Sequence, residues 1–147
     1  MKVGKGIKMQ ETRKLTRKEL FKLGFLFLLL VVVTGEIYLS VNINLVHDMN
    51  ISHIEYAIQR VDEECWSSLT QFIFFERGMS TVIISSDESR HAIIYRYAIW
   101  AFLGYVEKIV TIPTKHKLNS FCYVINDPRR YSFKVIKIGD VLYVYIE

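Results

Sequence analysis

A chain of 147 residues has room for one domain plus a targeting segment, and its 51% hydrophobic content argues against disorder. Nine Tyr and nine Phe beside only two Pro favour strands over helical bundles. The net charge of +4 is uneven: residues 1–22 hold eight Lys/Arg against two Asp/Glu, a net +6, while the remaining 125 hold eleven against thirteen, a net −2. A basic tail is thereby set apart from the folded part.

The first element after the tail is the apolar run Leu23–Thr34, which carries no charge. Twelve residues are too few to cross about 30 Å of hydrocarbon, but extension to Val41 gives a helix of roughly 28 Å. Glu36 then lies near the outer end and Lys22 can snorkel at the inner one. The basic flank places the N-terminus in the cytoplasm by the positive-inside rule. The expected layout is therefore a basic cytoplasmic tail over 1–22, a transmembrane helix over 23–41 and an extracytoplasmic domain over 42–147. Two other readings of the run are a signal peptide cut before Glu36 and a buried helix of a soluble protein. A prepilin leader is disfavoured because the fifth position after Gly24 is Leu29, where a Glu is expected.

Beyond the run, "NISHIEYAIQRVDEECW" puts Ile54, Ala57, Ile58, Val61 and Cys65 at helical spacing. Ser52 followed by Glu55 has the form of a capping box, so a separate linker helix is expected to start there. Asp62, Glu63 and Glu64 oppose the helix dipole and should end it near Glu64. "SSLTQFIFFERGMSTVIISS" reads as two strands turning at Glu76-Arg77-Gly78. "HAIIYRYAIWAFLGYVEKIVTI" reads as one long strand or two bent at Gly104, and "FCYVIND" as a further strand. "RRYSFKVIKIGDVLYVYIE" reads as a hairpin with its turn at Gly139-Asp140. The fold class expected is a membrane-anchored, mostly β, α+β chain. It comprises one transmembrane helix, a linker helix and a six- to seven-stranded antiparallel sheet curled into a sandwich or small barrel.

The candidate chemistry is sparse. Cys65 and Cys122 both fall in the outside domain, where an isolated pair reads as one disulfide. Closing a loop of about 57 residues would contribute on the order of 4 kcal/mol. The alternative is two buried free thiols. His47, His53, His91 and His116 show no metal-ligand spacing, and no metal or other cofactor is expected. Such residues are ordinarily satisfied structural histidines, and the sharper reading makes His53 and His91 pH-sensing. No GxSxG, P-loop or dinucleotide fingerprint occurs, so an enzyme is not expected. Arg129-Arg130 after Pro128 is a turn feature, and the basic tail is explained by topology and anionic lipid, so direct contact with nucleic acid is not expected. On the C-terminal hairpin, Leu142, Tyr143, Val144 and Tyr145 are candidate partner-binding residues, because apolar side chains on both alternating faces exceed what one core needs.

The order of a basic tail, one membrane helix, a helix ending in Cys, meandering strands and a second Cys resembles a family of small bitopic periplasmic proteins. These are the proteins encoded beside ToxR-type membrane transcription activators: ToxS, the FidL-like proteins and the MyfF/PsaF pair. "CWSSLTQFIFFERGMSTVIISS" is similar to their Cys and first hairpin, and "HAIIYRYAIWAF" to the next strand. The resemblance covers residues 20–147. It implies a single-pass protein of the bacterial inner membrane, with a β-rich periplasmic domain that stabilises or modulates a partner activator of virulence or fimbrial genes. Two other likenesses exist. "FFERGMSTVIISSD" resembles a segment of helical nitrate-sensing-type receptors, which implies a small extracytoplasmic sensor. "VIISSDESRHAIIYRY" resembles the post-helix strand of a T-even phage holin, which implies a lysis protein.

Overall fold

A single helix occupies what the sequence divides into two. The computed structural model describes residues 16–64, 66–77, 79–101 and 104–147 (the backbone alone at 100 and 101). The tail up to residue 15, Cys65 and the turn residue Gly78 lie outside the described residues. Helix α1 runs without a break from Arg17 to Asp62. Its capping box is Thr16 with Glu19: the Glu19 carboxylate accepts from Thr16 N at 2.8 Å, and Thr16 Oγ1 accepts from Glu19 N at 3.4 Å. The Ser52/Glu55 signal falls mid-helix, and both residues are exposed there. The reason is compositional. No Gly or Pro occurs between Gly35 and Asp62, and Asn44 sends its amide to Ser40 O at 2.9 Å instead of breaking the ladder.

The chain divides into two compact units, Met1–Gly35 and Glu36–Glu147. Helix α1, which runs through both, is long and apolar enough to cross a membrane, with an 18-residue window of mean hydropathy 2.2 and none of it buried. Thr34 Oγ1, the hydroxyl within this run, donates to Leu30 O at 2.8 Å, so it is satisfied inside the helix.

In the second unit the same helix becomes one-sided. His47, Asn50, Ile51, Ile54, Ala57, Ile58, Val61 and Asp62 are buried at helical spacing. The strands are β1 (Ser68–Phe74), β2 (Val82–Asp87), β3 (Ala92–Ala101), β4 (Gly104–Pro113), β5 (Lys117–Leu118), β6 (Cys122–Ile125), β7 (Arg130–Ile138) and β8 (Val141–Ile146). Among the described residues there are thus eight strands, not six or seven, and they form two four-stranded sheets, β1-β7-β8-β5 and β4-β3-β2-β6. The expected antiparallel order holds except at β5, which pairs with β8 in parallel. β1 and β2 are not a hairpin: β1 pairs with β7, and β2 lies between β3 and β6. They are neighbours in sequence, but each has its partners elsewhere. β3 and β4 form a hairpin, Gly104 taking φ 131°, and β7 and β8 form the expected one, with Gly139 at φ 61°.

Both sheets and the helix stripe share one core. Ile73, Phe133, Val135, Leu142 and Val144 come from the first sheet, Val82, Ile84, Ile93, Tyr95 and Tyr97 from the second, and Ile54, Ala57, Ile58 and Val61 from α1. The helix touches an edge strand of each sheet. Asn50 Nδ2 donates to Phe74 O at 2.6 Å and Asn50 Oδ1 accepts from Phe74 N at 2.8 Å, on β1. Lys108 Nζ, on β4, donates to Asn44 Oδ1 at 3.3 Å.

Phe133 is fully buried in this shared core, so Phe133→Ala should destabilise the unit by about 3–5 kcal/mol. Val124→Ala, at an exposed position on β6, should change stability by less than about 0.5 kcal/mol. Urea denaturation of the full chain in detergent measures both, and equal midpoints for the two variants would contradict the assignment of the core.

Candidate functional site

The residues singled out in the sequence fall in different places. Cys122 is an exposed free thiol on the edge strand β6, and Cys65, its expected partner, lies outside the described residues. Leu142 and Val144 are buried core residues, 0% and 1% exposed, and cannot meet a partner. β8 is sealed as well as buried: Asn119 N donates to Leu142 O at 2.9 Å and Val144 N donates to Asn119 Oδ1 at 3.0 Å. Only Tyr143, half-buried, and Tyr145, exposed, remain on the surface of this stretch. Because β7 and β8 are the two central strands of their sheet, removing the hairpin would strip β1 and β5 of their pairing and not merely delete a docking surface.

The histidines are also sorted by their surroundings. His53 Nδ1 sits 2.7 Å from Phe72 O, so it supports the edge of β1. His91 occupies the turn before β3 with φ 49°, and its carbonyl accepts from Thr114 N at 2.7 Å and Thr114 Oγ1 at 2.9 Å. His116 Nδ1 contacts the buried carboxylate of Asp62 at 2.5 Å, and the same carboxylate accepts from the amides of Lys115 and His116. This joins the C-terminal end of α1 to the segment between β4 and β5. Among the described residues no group of three or more His, Cys, Asp or Glu is placed to hold a metal ion.

A strongly perturbed group is a fourth histidine, His47. It is fully buried, stacked on Tyr97 at a centroid separation of 3.8 Å, with Nδ1 3.0 Å from Tyr95 Oη. Its Nε2 has no hydrogen-bond partner among the described residues in either tautomer. Burial pushes the imidazole pKa down to about 4, and the Lys108 ammonium adds to the shift. Burial raises the Tyr95 phenol, and raises that of Tyr97 with help from Asp48. The site is a neutral polar cluster where helix and second sheet meet. The sequence held a signal for it, since His47 stands one turn before Asn50 and Ile51 and two before Ile54 on the buried stripe.

The surface offers a different feature. β4 is a ten-residue edge strand, and Tyr105, Val106 and Ile109 along it are 69%, 51% and 54% exposed. Its outer side has no partner strand among the described residues. Arg96 on β3 pairs with Glu107 at 3.4 Å and Lys108 reaches Asn44 on α1 at 3.3 Å, so both charges of the strand are engaged between apolar positions. A long, exposed, apolar edge of this kind is suited to accepting another strand.

No known family, curated protein or solved structure matches the chain.

The buried imidazole makes stability pH-dependent with a definite sign. The folded pKa is about 4 and the unfolded one 6.5, so between these values the unfolded chain binds the extra proton. Stability from this group is complete above about pH 6.5 and declines as pH falls toward 4, by up to about 3 kcal/mol. His47→Gln should remove that slope in urea titrations taken between pH 7 and pH 4. An unchanged slope would place the acid sensitivity elsewhere.

Proposed function

We propose that the chain is a non-enzymatic, single-pass membrane protein of a bacterial inner membrane whose β-rich unit binds another membrane protein outside the cytoplasm. The observation that carries this reading is the unburied apolar window of α1, which continues as one helix into the buried stripe of the Glu36–Glu147 unit. Exposed apolar surface of that length requires a bilayer or a protein to cover it. The basic residues before it favour a cytoplasmic N-terminus.

The partner surface best supported is the outer edge of β4, with Val106 and Ile109, and a second patch at Tyr143 and Tyr145. Strand addition to β4 would take its specificity from the alternate side chains and its strength from the backbone. A partner of the ToxR-type activator class, stabilised or modulated through its periplasmic domain, is the proposal that the sequence resemblance adds. A Cys65–Cys122 bridge, tying the end of α1 to β6, belongs to the same proposal for an oxidising compartment.

A reporter active only in the periplasm, fused after Glu147, should give signal, and a signal from a cytoplasm-only reporter would refute the orientation. Val106→Lys combined with Ile109→Lys should abolish co-purification of the partner from detergent-solubilised membranes and lower the partner activator's level. Tyr145→Lys should weaken it far less. Retention of the partner by the double variant would remove β4 as the interface. Depolarisation of the membrane on expression, with no protein co-purifying, would replace the reading with a lysis protein.

A further inference from the structure

Within the Glu36–Glu147 unit lies a cavity of about 490 Å³ with a mixed lining, in the size range of small-molecule sites. One wall is the first two turns of α1 in this unit, with Glu36, Leu39, Asn42 and Ile43. The facing wall is the segment between β1 and β2 together with the start of β4, contributing Glu76, Arg77, Met79 and Tyr105. That segment is held in place locally. Glu76 N donates to Met79 Sδ at 3.1 Å, and Ser80 Oγ bonds with both the carbonyl and the amide of Ala98, accepting from the latter at 3.0 Å.

Three features of the cavity point to a ligand. Glu36, Glu76 and Arg77 all line it, and none takes part in an ion pair among the described residues. Two carboxylates and one guanidinium give a lining of net −1, suited to an ammonium beside a single phosphate and unsuited to a net-anionic group. The cavity also has a definite end of the unit. Tyr105 and Leu39 share it, and three residues further along β4 Lys108 reaches Asn44, so strand and helix run together away from Glu36. Glu36 is the first residue of this unit, and exposed apolar residues of α1 continue past it at Ile37, Tyr38, Leu39 and Val41, so the charged cavity lies beside the outer end of the apolar run.

We infer that this cavity takes the headgroup of a zwitterionic aminophospholipid from the membrane's outer surface. This rests on the membrane-anchored reading above. Arg77 binds the phosphate, Glu36 and Glu76 flank the ammonium, and Leu39 and Met79 cover the glycerol end. Tyr105 is of the type that settles at the headgroup level.

The test uses the full-length chain reconstituted in vesicles of phosphatidylethanolamine mixed equally with phosphatidylglycerol, then released in mild detergent for native mass spectrometry. One phosphatidylethanolamine per chain should be retained over phosphatidylglycerol by about tenfold, the scale of one charge-assisted pair. Arg77→Gln and Glu36→Gln should each lower that retention by about tenfold, and Arg77→Lys, which keeps the charge and the fold, should preserve part of it. Equal retention of the two lipids, or retention indifferent to all three substitutions, would overturn the site. Displacement of the lipid by soluble glycerophosphoethanolamine at equal concentration would overturn the bilayer as its source. Alkaline carbonate separates the two levels of failure. A chain that stays with the membranes yet shows no lipid preference refutes the cavity assignment alone, whereas a chain released into the soluble fraction refutes the anchor and the inference together.

Discussion

The side-chain amide of Asn50 decides how the helix and the sheets fit together. A helix has no free backbone groups along its flank, so it cannot continue a sheet, and the outer edge of β1 would otherwise face it with unpaired donors and acceptors. Asn50 carries both an acceptor and a donor and presents them to the amide and carbonyl of Phe74, as a residue of a neighbouring strand would. His53 does the same for Phe72 O, one turn along. Since side chains on a strand alternate, a slip of one residue in β1 would break these bonds and turn Ile73 out of the core. The register of α1 against β1, and through β1 the pairing with β7, follows from that constraint.

Polar groups also mark the other points at which α1 meets the β unit. Near its entry, His47 is wedged against Tyr95 and Tyr97; at its exit, Asp62 accepts from the segment before β5. Between them the stripe is apolar, Ile51, Ile54, Ala57, Ile58 and Val61. The apolar middle supplies most of the favourable burial, and the polar ends supply direction, since each buried polar group tolerates few alternative positions.

Much of the local structure was legible in the sequence. Ile54, Ala57, Ile58 and Val61 announced the buried face of the helix by spacing, and the β7–β8 hairpin was visible in alternation on either side of Gly139-Asp140. The errors arose where local signals met long-range pairing. Ser52 and Glu55 have the form of a helix start, yet nothing before them stops the helix, and a cap signal has no force inside a continuous ladder. The turn at Glu76-Arg77 resembles that of a hairpin, but the partner of β1 lies near the C-terminus, which no local pattern encodes. The partners of Asn50 and Asp62 could not be read from the sequence, because a polar side chain advertises none. Leu142 and Val144 read as spare surface because the sequence does not reveal that β8 is a central strand. Of the candidate site, the apolar run was plain, while the β4 edge was legible as a strand and not as an edge.

The pairing of β1 with β7 sets a timetable. Phe74 faces Arg130 and Ser68 faces Ile136 across the ladder, so β1 emerges long before the strand that completes it. At ordinary synthesis rates the delay is roughly 3 to 14 seconds. Throughout that interval β1 has both backbone edges open, with only Asn50 and His53 of the already finished helix available to occupy one of them. The helix therefore has a role in time as well as in space: it can hold one edge of β1 against premature pairing with another chain until the last strands arrive.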